Sequence, residues 1–194
     1  MSFFNKYYFA GLGTGIVLMF MLVFLAGYIL VKKSMPNSEN MASMLMPPEF
    51  PSFEKSHIFE SSKGWTLSIL DGDEIEFSEF KDKVLFINFW ATWCKPCIAE
   101  MPGIQKLYDE FSNEDIVFLV ISNETEAVVK KFFDNNDYTF PVYLTGAHDL
   151  PNIFQSRSIP ATFIIDKNGY IVFKHKGMAA WDDRSCREFL RKLL

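Results

Sequence analysis

Two cysteines separated by two residues have the clearest chemistry in this sequence. Cys94 and Cys97 lie in Trp93-Cys94-Lys95-Pro96-Cys97, directly after the apolar run 84–90. At a strand-to-helix junction such a pair can form and break a disulfide, and the helix dipole favours the thiolate of the first cysteine. The thiolate is the form that attacks another disulfide. The spacing therefore predicts redox chemistry, with the pKa of Cys94 below the usual value of about 8.5.

Metal binding is the other chemistry open to a Cys-x-x-Cys pair. Zinc usually takes about four ligands, but the three histidines (His57, His148 and His175) show no paired spacing, and Cys186 is the only other cysteine. Redox is thus favoured over a metal site or an inert pair, and the expected cofactor is none beyond the redox-active disulfide itself. Cys186 is expected to be a buried, unpaired thiol, with a regulatory or intermolecular disulfide as the alternative.

The composition is that of one globular domain with an apolar N-terminal appendage. Of the 194 residues, 49% are hydrophobic and 16% aromatic. Residues 1–33 contain three lysines and no acidic residue, which leaves 16 basic and 24 acidic residues and a net charge of −8 for the remainder. Such a charge argues against a surface that binds nucleic acid or anionic lipid.

An uncharged apolar segment near the N-terminus predicts a membrane anchor. Residues 7–31 contain no charged side chain, and 25 helical residues span roughly 37 Å, enough to cross a hydrocarbon layer of about 30 Å. The segment is longer than the usual apolar core of a signal peptide. We therefore expect an uncleaved single-pass anchor over residues 1–33, with a buried core helix as the alternative. Lys6 on one side and Lys32 and Lys33 on the other leave its orientation undecided.

The segment that follows the anchor predicts a flexible linker. Residues 34–55 are rich in proline, serine, asparagine and methionine and lack apolar periodicity. Thioethers are soft metal ligands, so Met41, Met44 and Met46 also allow a copper-binding interpretation, although a methionine-rich tether is the simpler one.

The remaining residues, 56–194, alternate predicted strands and helices. The apolar run Val84–Trp90 is typical of a central strand covered on both faces, and apolar positions at helical intervals predict a helix from Lys95 to about Phe111. The other predicted strands are 65–69, 74–77, 116–122, 140–144, 162–166 and 170–174, and the other predicted helices are 124–136, 149–155 and 182–194. This order favours an α/β layer fold with a mixed sheet.

Two motifs about 60 residues apart carry a resemblance to a known family. The first runs from Asn88 through Cys94 and Cys97 to Pro102, and the second is Ile159-Pro160-Ala161-Thr162-Phe163-Ile164-Ile165-Asp166. Together they resemble the thioredoxin fold, and in particular the membrane-anchored, extracytoplasmic TlpA/ResA-like thiol–disulfide oxidoreductases. The resemblance covers residues 56–194 and implies a mixed central sheet flanked by helices.

The resemblance implies a role for each residue of the two motifs. Cys94 resembles the nucleophile of this group, and Cys97 resembles the more buried resolving cysteine. Pro160, with Ile159 before it, resembles the cis-proline that presents backbone to a bound substrate; an ordinary strand-entry proline is the alternative. Trp93 would shield one side of the disulfide.

Glu100 resembles an acid that this group carries near the active site. Many cytoplasmic thioredoxins have a buried acid at the strand position that Asn88 occupies here. Glu100 lies one helical turn beyond Cys97 and would take its proton during exchange; a solvated helix glutamate is the alternative. No role for Thr92 follows from the sequence.

The function that the resemblance implies is reduction of disulfides in exported proteins or in cytochrome c maturation. The expected partners are disulfide-bearing proteins and a thiol electron donor in the membrane. The domain is expected on the periplasmic side of the cell membrane. A thiol peroxidase is a competing interpretation, but Thr92 stands two rather than three residues before Cys94 and no proline precedes it. A copper chaperone that uses Cys94, Cys97 and the linker methionines is another.

Overall fold

The computed structural model describes residues 6–34, 38–50, 56–58, 61–146 and 149–194. These residues divide into two compact units, one that ends before Ser38 and one that runs from Ser38 to Leu194. The first contains helix α1 (Lys6–Ser34). No helix among the described residues combines the length and the apolar character that a membrane span requires. The predicted anchor over residues 7–31 includes side chains that lie outside the described ones, at positions 7–16, so the anchor stays a prediction.

The second unit is built on one mixed sheet of eight strands. In chain order the strands are β1 (Ser56–His57), β2 (Thr66–Ile69), β3 (Glu74–Glu76), β4 (Val84–Trp90), β5 (Ile116–Ser122), β6 (Val142–Leu144), β7 (Ala161–Ile165) and β8 (Tyr170–Lys176). Their order across the sheet is β1-β8-β7-β4-β5-β6-β2-β3. Strand β4 pairs parallel with β5 and antiparallel with β7. The predicted α/β fold with a mixed sheet is confirmed.

Strand β4 lies at the centre of the sheet because both of its faces are apolar. All seven of its residues are buried. Val84, Phe86 and Trp90 pack into one hydrophobic cluster, while Leu85 and Ile87 pack into the other. Such alternation lets one strand bury side chains on both faces of a sheet.

Three helices each follow a strand of this sheet: α3 (Lys95–Phe111) follows β4, α4 (Glu126–Phe133) follows β5 and α5 (Arg184–Arg191) follows β8. Helix α3 has the predicted bounds and contains Pro102. Helix α5 begins two residues later than predicted because Asp183 caps it, accepting a hydrogen bond from the Ser185 N–H, and it ends at Arg191 rather than at 194. A single 3-10 turn, Asn152–Phe154, stands where the sequence predicts a helix over 149–155.

Part of the predicted linker belongs to the second unit. A short helix, α2 (Ser38–Ala42), lies against α3. Further along, the Met46 carbonyl accepts a hydrogen bond of 2.9 Å from the Ala180 N–H. Residues 38–50 therefore form a docked segment within the stretch that composition alone assigns to a flexible linker.

An aromatic ring anchors the end of the docked segment. Phe50 stacks on Phe189 of α5, with ring centroids 4.3 Å apart, and lies 4.5 Å from the ring of Phe173 on β8. Aromatic pairs at such distances contribute about 0.5–1.5 kcal/mol beyond area burial. Sequence periodicity does not reveal this contact, because a single ring has no period.

Candidate active site

The two cysteines of the Cys-x-x-Cys motif are joined in a disulfide. The S–S distance is 2.04 Å and the Cα atoms are 5.3 Å apart. Cys94 is the N-cap of α3, and its Sγ accepts a hydrogen bond of 3.3 Å from the Cys97 N–H. Only 4% of Cys94 and 1% of Cys97 are exposed. After reduction the same N–H would donate to a Cys94 thiolate, which is the charge-assisted form of this bond.

Two grooves meet the motif, and Ile159 lines both of them. One groove, of about 470 Å³, is lined by Trp93, Phe154 and Ile159 among others. The second, of about 370 Å³, is lined by Pro96, Ile159 and Pro160. Trp93 is 70% exposed, as a side chain that meets a substrate must be. The structure thus brings together the residues that the sequence predicts for substrate binding.

The predicted cis-proline is confirmed, because the Ile159–Pro160 peptide bond is cis. Pro160 directly precedes β7, the strand that pairs with β4. The roles of Trp93, Ile159 and Pro160 in substrate binding stay predictions.

Glu100 is completely buried rather than solvated. Its Oε1 accepts a hydrogen bond of 2.8 Å from Asn88 Nδ2. Its Oε2 accepts one of 3.0 Å from the Ala179 N–H and one of 2.9 Å from Trp181 Nε1. The solvated helix glutamate considered as an alternative is therefore wrong, since this carboxyl is 0% exposed.

Burial controls the acidity of this carboxyl. Desolvation raises the pKa of Glu100 from 4.5 to about 8, although the hydrogen bonds from Trp181, Asn88 and Ala179 oppose the rise. A pKa near neutrality is what a group needs to accept and return protons in the physiological range. Glu100 lies one helical turn beyond Cys97 on α3, so the acid stands on the same helix as the thiol it would serve. Its role in proton transfer stays a prediction.

The residues that hold Glu100 were missed by sequence reasoning. Asn88 and Thr162 are cross-strand partners on β4 and β7, and Asn88 Nδ2 also donates to Thr162 Oγ1 at 2.9 Å. The backbone of Trp181 approaches α3 closely at Gly103, where an added Cβ would lie 3.5 Å from the backbone nitrogen of Trp181. The buried Asn88 within an apolar strand was the one available signal, because a buried amide requires partners.

The third cysteine does not take part in the site. Cys186 is free and 0% exposed, which confirms the predicted buried and unpaired thiol. Burial raises the pKa of the Cys186 thiol to about 12, so it is not a nucleophile at neutral pH. Within the described ranges, no three of the histidine, cysteine and acidic side chains form a group that could hold a metal ion.

The fold and the site together define a class of protein. A disulfide at the start of a helix, beside a cis-proline and on a mixed sheet, belongs to the thioredoxin-fold thiol–disulfide oxidoreductases.

Comparison with known proteins narrows this class. Residues 58–174 match the AhpC/TSA family. Thiol-disulfide oxidoreductase ResA of Bacillus thuringiensis is 32% identical over 145 residues, which is 74% of this chain and 83% of that protein. The ResA of Halalkalibacterium halodurans is 34% identical over 119 residues, 61% of this chain and 68% of that protein. The chain therefore belongs to the ResA-like thiol–disulfide oxidoreductases, within the AhpC/TSA family.

Solved structures support the same assignment. StoA of Bacillus subtilis superposes with a TM-score of 0.53 at 25% identity, over 66% of this chain and 93% of that one. The exposed lipoprotein thioredoxin of Streptococcus pneumoniae gives a TM-score of 0.56 at 27% identity, over 66% of this chain and 98% of that one. The chain is a thiol–disulfide oxidoreductase with the Cys94–Cys97 pair at its centre.

Proposed function

We propose that this oxidoreductase works as a disulfide reductase, held by its N-terminal segment at the extracytoplasmic face of the cell membrane. Its substrates are disulfides of exported proteins or of proteins in cytochrome c maturation, and a thiol donor in the membrane returns its electrons. The observation that carries the proposal is the buried Glu100, one turn from Cys97 and with a pKa of about 8.

The reaction runs in two exchange steps. The Cys94 thiolate attacks one sulfur of the substrate disulfide, forms a mixed disulfide and releases the other substrate sulfur as a thiolate. The Cys97 thiol then gives its proton to the Glu100 carboxylate, and the Cys97 sulfur attacks Cys94. The second substrate sulfur leaves. Two electrons pass from the dithiol to the substrate, and the Cys94–Cys97 disulfide remains.

The surroundings of Glu100 favour the reducing direction. Desolvation already opposes one negative charge at this place, so a second one on the Cys97 sulfur would cost more. A strong oxidant such as DsbA depends on a stabilised reduced form. The reduced form of this pair can gain such stabilisation only at Cys94, because a Cys97 thiolate one helical turn from the buried Glu100 is disfavoured.

The reduction potential tests this direction. We expect a value near the roughly −270 mV of thioredoxin rather than the roughly −120 mV of DsbA. Equilibration in dithiothreitol or glutathione redox buffers measures it, and fluorescence of Trp93, which adjoins Cys94, reports the fraction reduced. A potential close to that of DsbA would identify an oxidase and contradict the proposal.

Placement at the membrane is tested by a topology reporter. Alkaline phosphatase, which works only after export, is expected to be active when fused after Ser52, because disulfide reduction is needed where oxidation is the default, outside the cytoplasm. The matched control is the same fusion without residues 7–31, which should be inactive. A full-length fusion that is expressed, membrane-bound and inactive would contradict the topology.

A thiol peroxidase is the second candidate, favoured by the match to the AhpC/TSA family. The geometry of the site is less suitable for peroxidase chemistry than for disulfide exchange, because the Thr92 hydroxyl is already bonded to Glu124 at 2.8 Å. Consumption of hydrogen peroxide by the reduced protein as fast as its reaction with a disulfide would favour this candidate.

A further inference from the structure

A carboxylate on the neighbouring strand end holds the turn before the nucleophilic cysteine. The Thr92 N–H donates to Glu124 Oε2 at 2.6 Å, and the Thr92 hydroxyl donates to Glu124 Oε1 at 2.8 Å. Both carboxylate oxygens are therefore engaged by one residue, two positions before Cys94. Hydrogen bonds with one ionised partner are roughly twice as strong as neutral ones.

The topology of the sheet brings these two residues together. Thr92 follows β4 and Glu124 follows β5, and the two strands run parallel with Trp90 opposite Ser122. Their carboxyl ends therefore meet at the same edge. The Glu124 N–H donates to Ser122 Oγ at 3.2 Å, and Ser122 is only 1% exposed. The backbone that presents the carboxylate is thus itself held in place.

The turn that Glu124 holds sets the direction of the Cys94 side chain. The Cys94 N–H donates to the Ala91 carbonyl at 3.0 Å, and the Cys94 carbonyl accepts from the Ile98 N–H at 3.1 Å. Thr92 lies inside the turn that the first of these bonds closes, between Ala91 and Cys94. In the oxidised protein the disulfide also constrains Cys94, but reduction removes that covalent link just when Cys94 must attack.

We infer that Glu124 is a positioning residue for thiol–disulfide exchange, which keeps the Cys94 turn in its reactive conformation when the disulfide is open. The carboxylate acts through Thr92 and not on the sulfur itself. Alignment matters here, because misplacing a reacting group by about 1 Å can cost about 100-fold in rate. The inference rests on the exchange activity of the same site and assigns one more residue to it.

Two pairs of variants separate positioning from charge. Glu124→Ala removes both hydrogen bonds. Glu124→Gln removes the charge but can keep both, because its Oε1 accepts from the Thr92 N–H and its Nε2 donates to the Thr92 hydroxyl oxygen. Thr92→Val removes the hydroxyl, and Thr92→Ser keeps it. Glu126→Ala, which removes an exposed glutamate two positions further on, is the matched control.

The measurement is the second-order rate of each reduced protein with a dipyridyl disulfide across pH. This profile separates the pKa of Cys94 from the limiting rate of its thiolate. We expect the limiting rate of Glu124→Ala to fall about tenfold, which corresponds to about 1.4 kcal/mol in the barrier. Thr92→Val should fall less, while Glu124→Gln, Thr92→Ser and Glu126→Ala should stay within about twofold of the wild type.

Each outcome decides the inference. A limiting rate of Glu124→Ala equal to the wild type would overturn it, and so would a Glu124→Gln rate as low as that of Glu124→Ala, since charge would then be responsible. If urea titrations show that Glu124→Ala is not folded, the limiting rates of Thr92→Val and Thr92→Ser are compared in its place. Equal rates in these two variants would overturn the inference. A wild-type protein without any exchange would instead contradict the exchange activity.

Discussion

Cys97→Ser is expected to trap a stable mixed disulfide between Cys94 and its substrate, whereas Cys94→Ser is expected to trap none. Cys94 caps α3 and accepts the Cys97 N–H, so its thiolate is the stabilised one and makes the first attack. Without the Cys97 sulfur the second attack cannot occur. Catalytic exchange should fall by at least about 10³-fold in either variant, as it does when a nucleophile is removed.

The trap also identifies the substrate. Reduced Cys97→Ser protein is incubated with oxidised exported proteins, and the adducts are separated without reductant and identified by mass spectrometry. Alkylation of single-cysteine variants against pH gives the order of reactivity, with Cys94 faster. Cys186→Ser is the control and should exchange normally, because Cys186 is buried and free. Adducts formed by Cys94→Ser and not by Cys97→Ser would reverse the two roles.

Glu100→Gln is expected to slow exchange near neutral pH and to flatten the dependence of stability on pH. The first effect follows because glutamine cannot take the Cys97 proton. The fold should survive, since the glutamine oxygen can accept from Ala179 and Trp181. Its amide can donate to Asn88 once that side chain turns its oxygen inward. Stopped-flow turnover with a disulfide substrate from about pH 5 to 9 measures the first effect.

The second effect has a definite sign. The pKa of Glu100 rises from 4.5 to about 8 on folding, so the folded protein keeps a proton that the unfolded chain loses. The resulting stability is fully present below about pH 4.5 and is lost as the pH rises through about 8. This loss amounts to at most roughly 5 kcal/mol.

Urea unfolding at several pH values compares the two proteins. The wild-type free energy of unfolding should decline across this window, and that of Glu100→Gln should not. Glu114→Gln, at an exposed glutamate, should retain the wild-type slope. Equal slopes in the wild type and Glu100→Gln would show that Glu100 does not titrate there.

Local patterns were sufficient for the elements that carry the site. Val84–Trp90 and Ile116–Ser122 are strands with the predicted bounds, and Lys95–Phe111 is a helix with the predicted bounds. Continuous apolar runs and helical spacing are properties of neighbouring residues, so a sequence displays them directly. The Cys94–Cys97 pair also stands in a short motif, whereas the cis bond at Pro160 was predicted from the family resemblance and not from a local pattern.

Contacts between distant residues were not accessible in this way. Glu100 is bonded to Ala179 and Trp181, which lie 79 and 81 positions away, and no local period relates them. The sequence predicts Glu124 at the start of a helix, because the apolar residues after it recur at helical intervals. The helix begins only at Glu126, because the backbone of its N-cap Thr125 is extended, and the side chain of Glu124 is bonded to Thr92.

The docked segment changes where the folding unit begins. Sequence similarity to the AhpC/TSA family starts at residue 58, but the compact unit starts at Ser38. A recombinant version cut at the family boundary would expose the surface that Phe50 covers and would leave the Ala180 N–H without its Met46 acceptor. The lost hydrogen bond would lie one residue from Ala179, whose N–H donates to the Glu100 carboxyl of the active site. A recombinant protein that keeps the whole second unit therefore starts at Ser38.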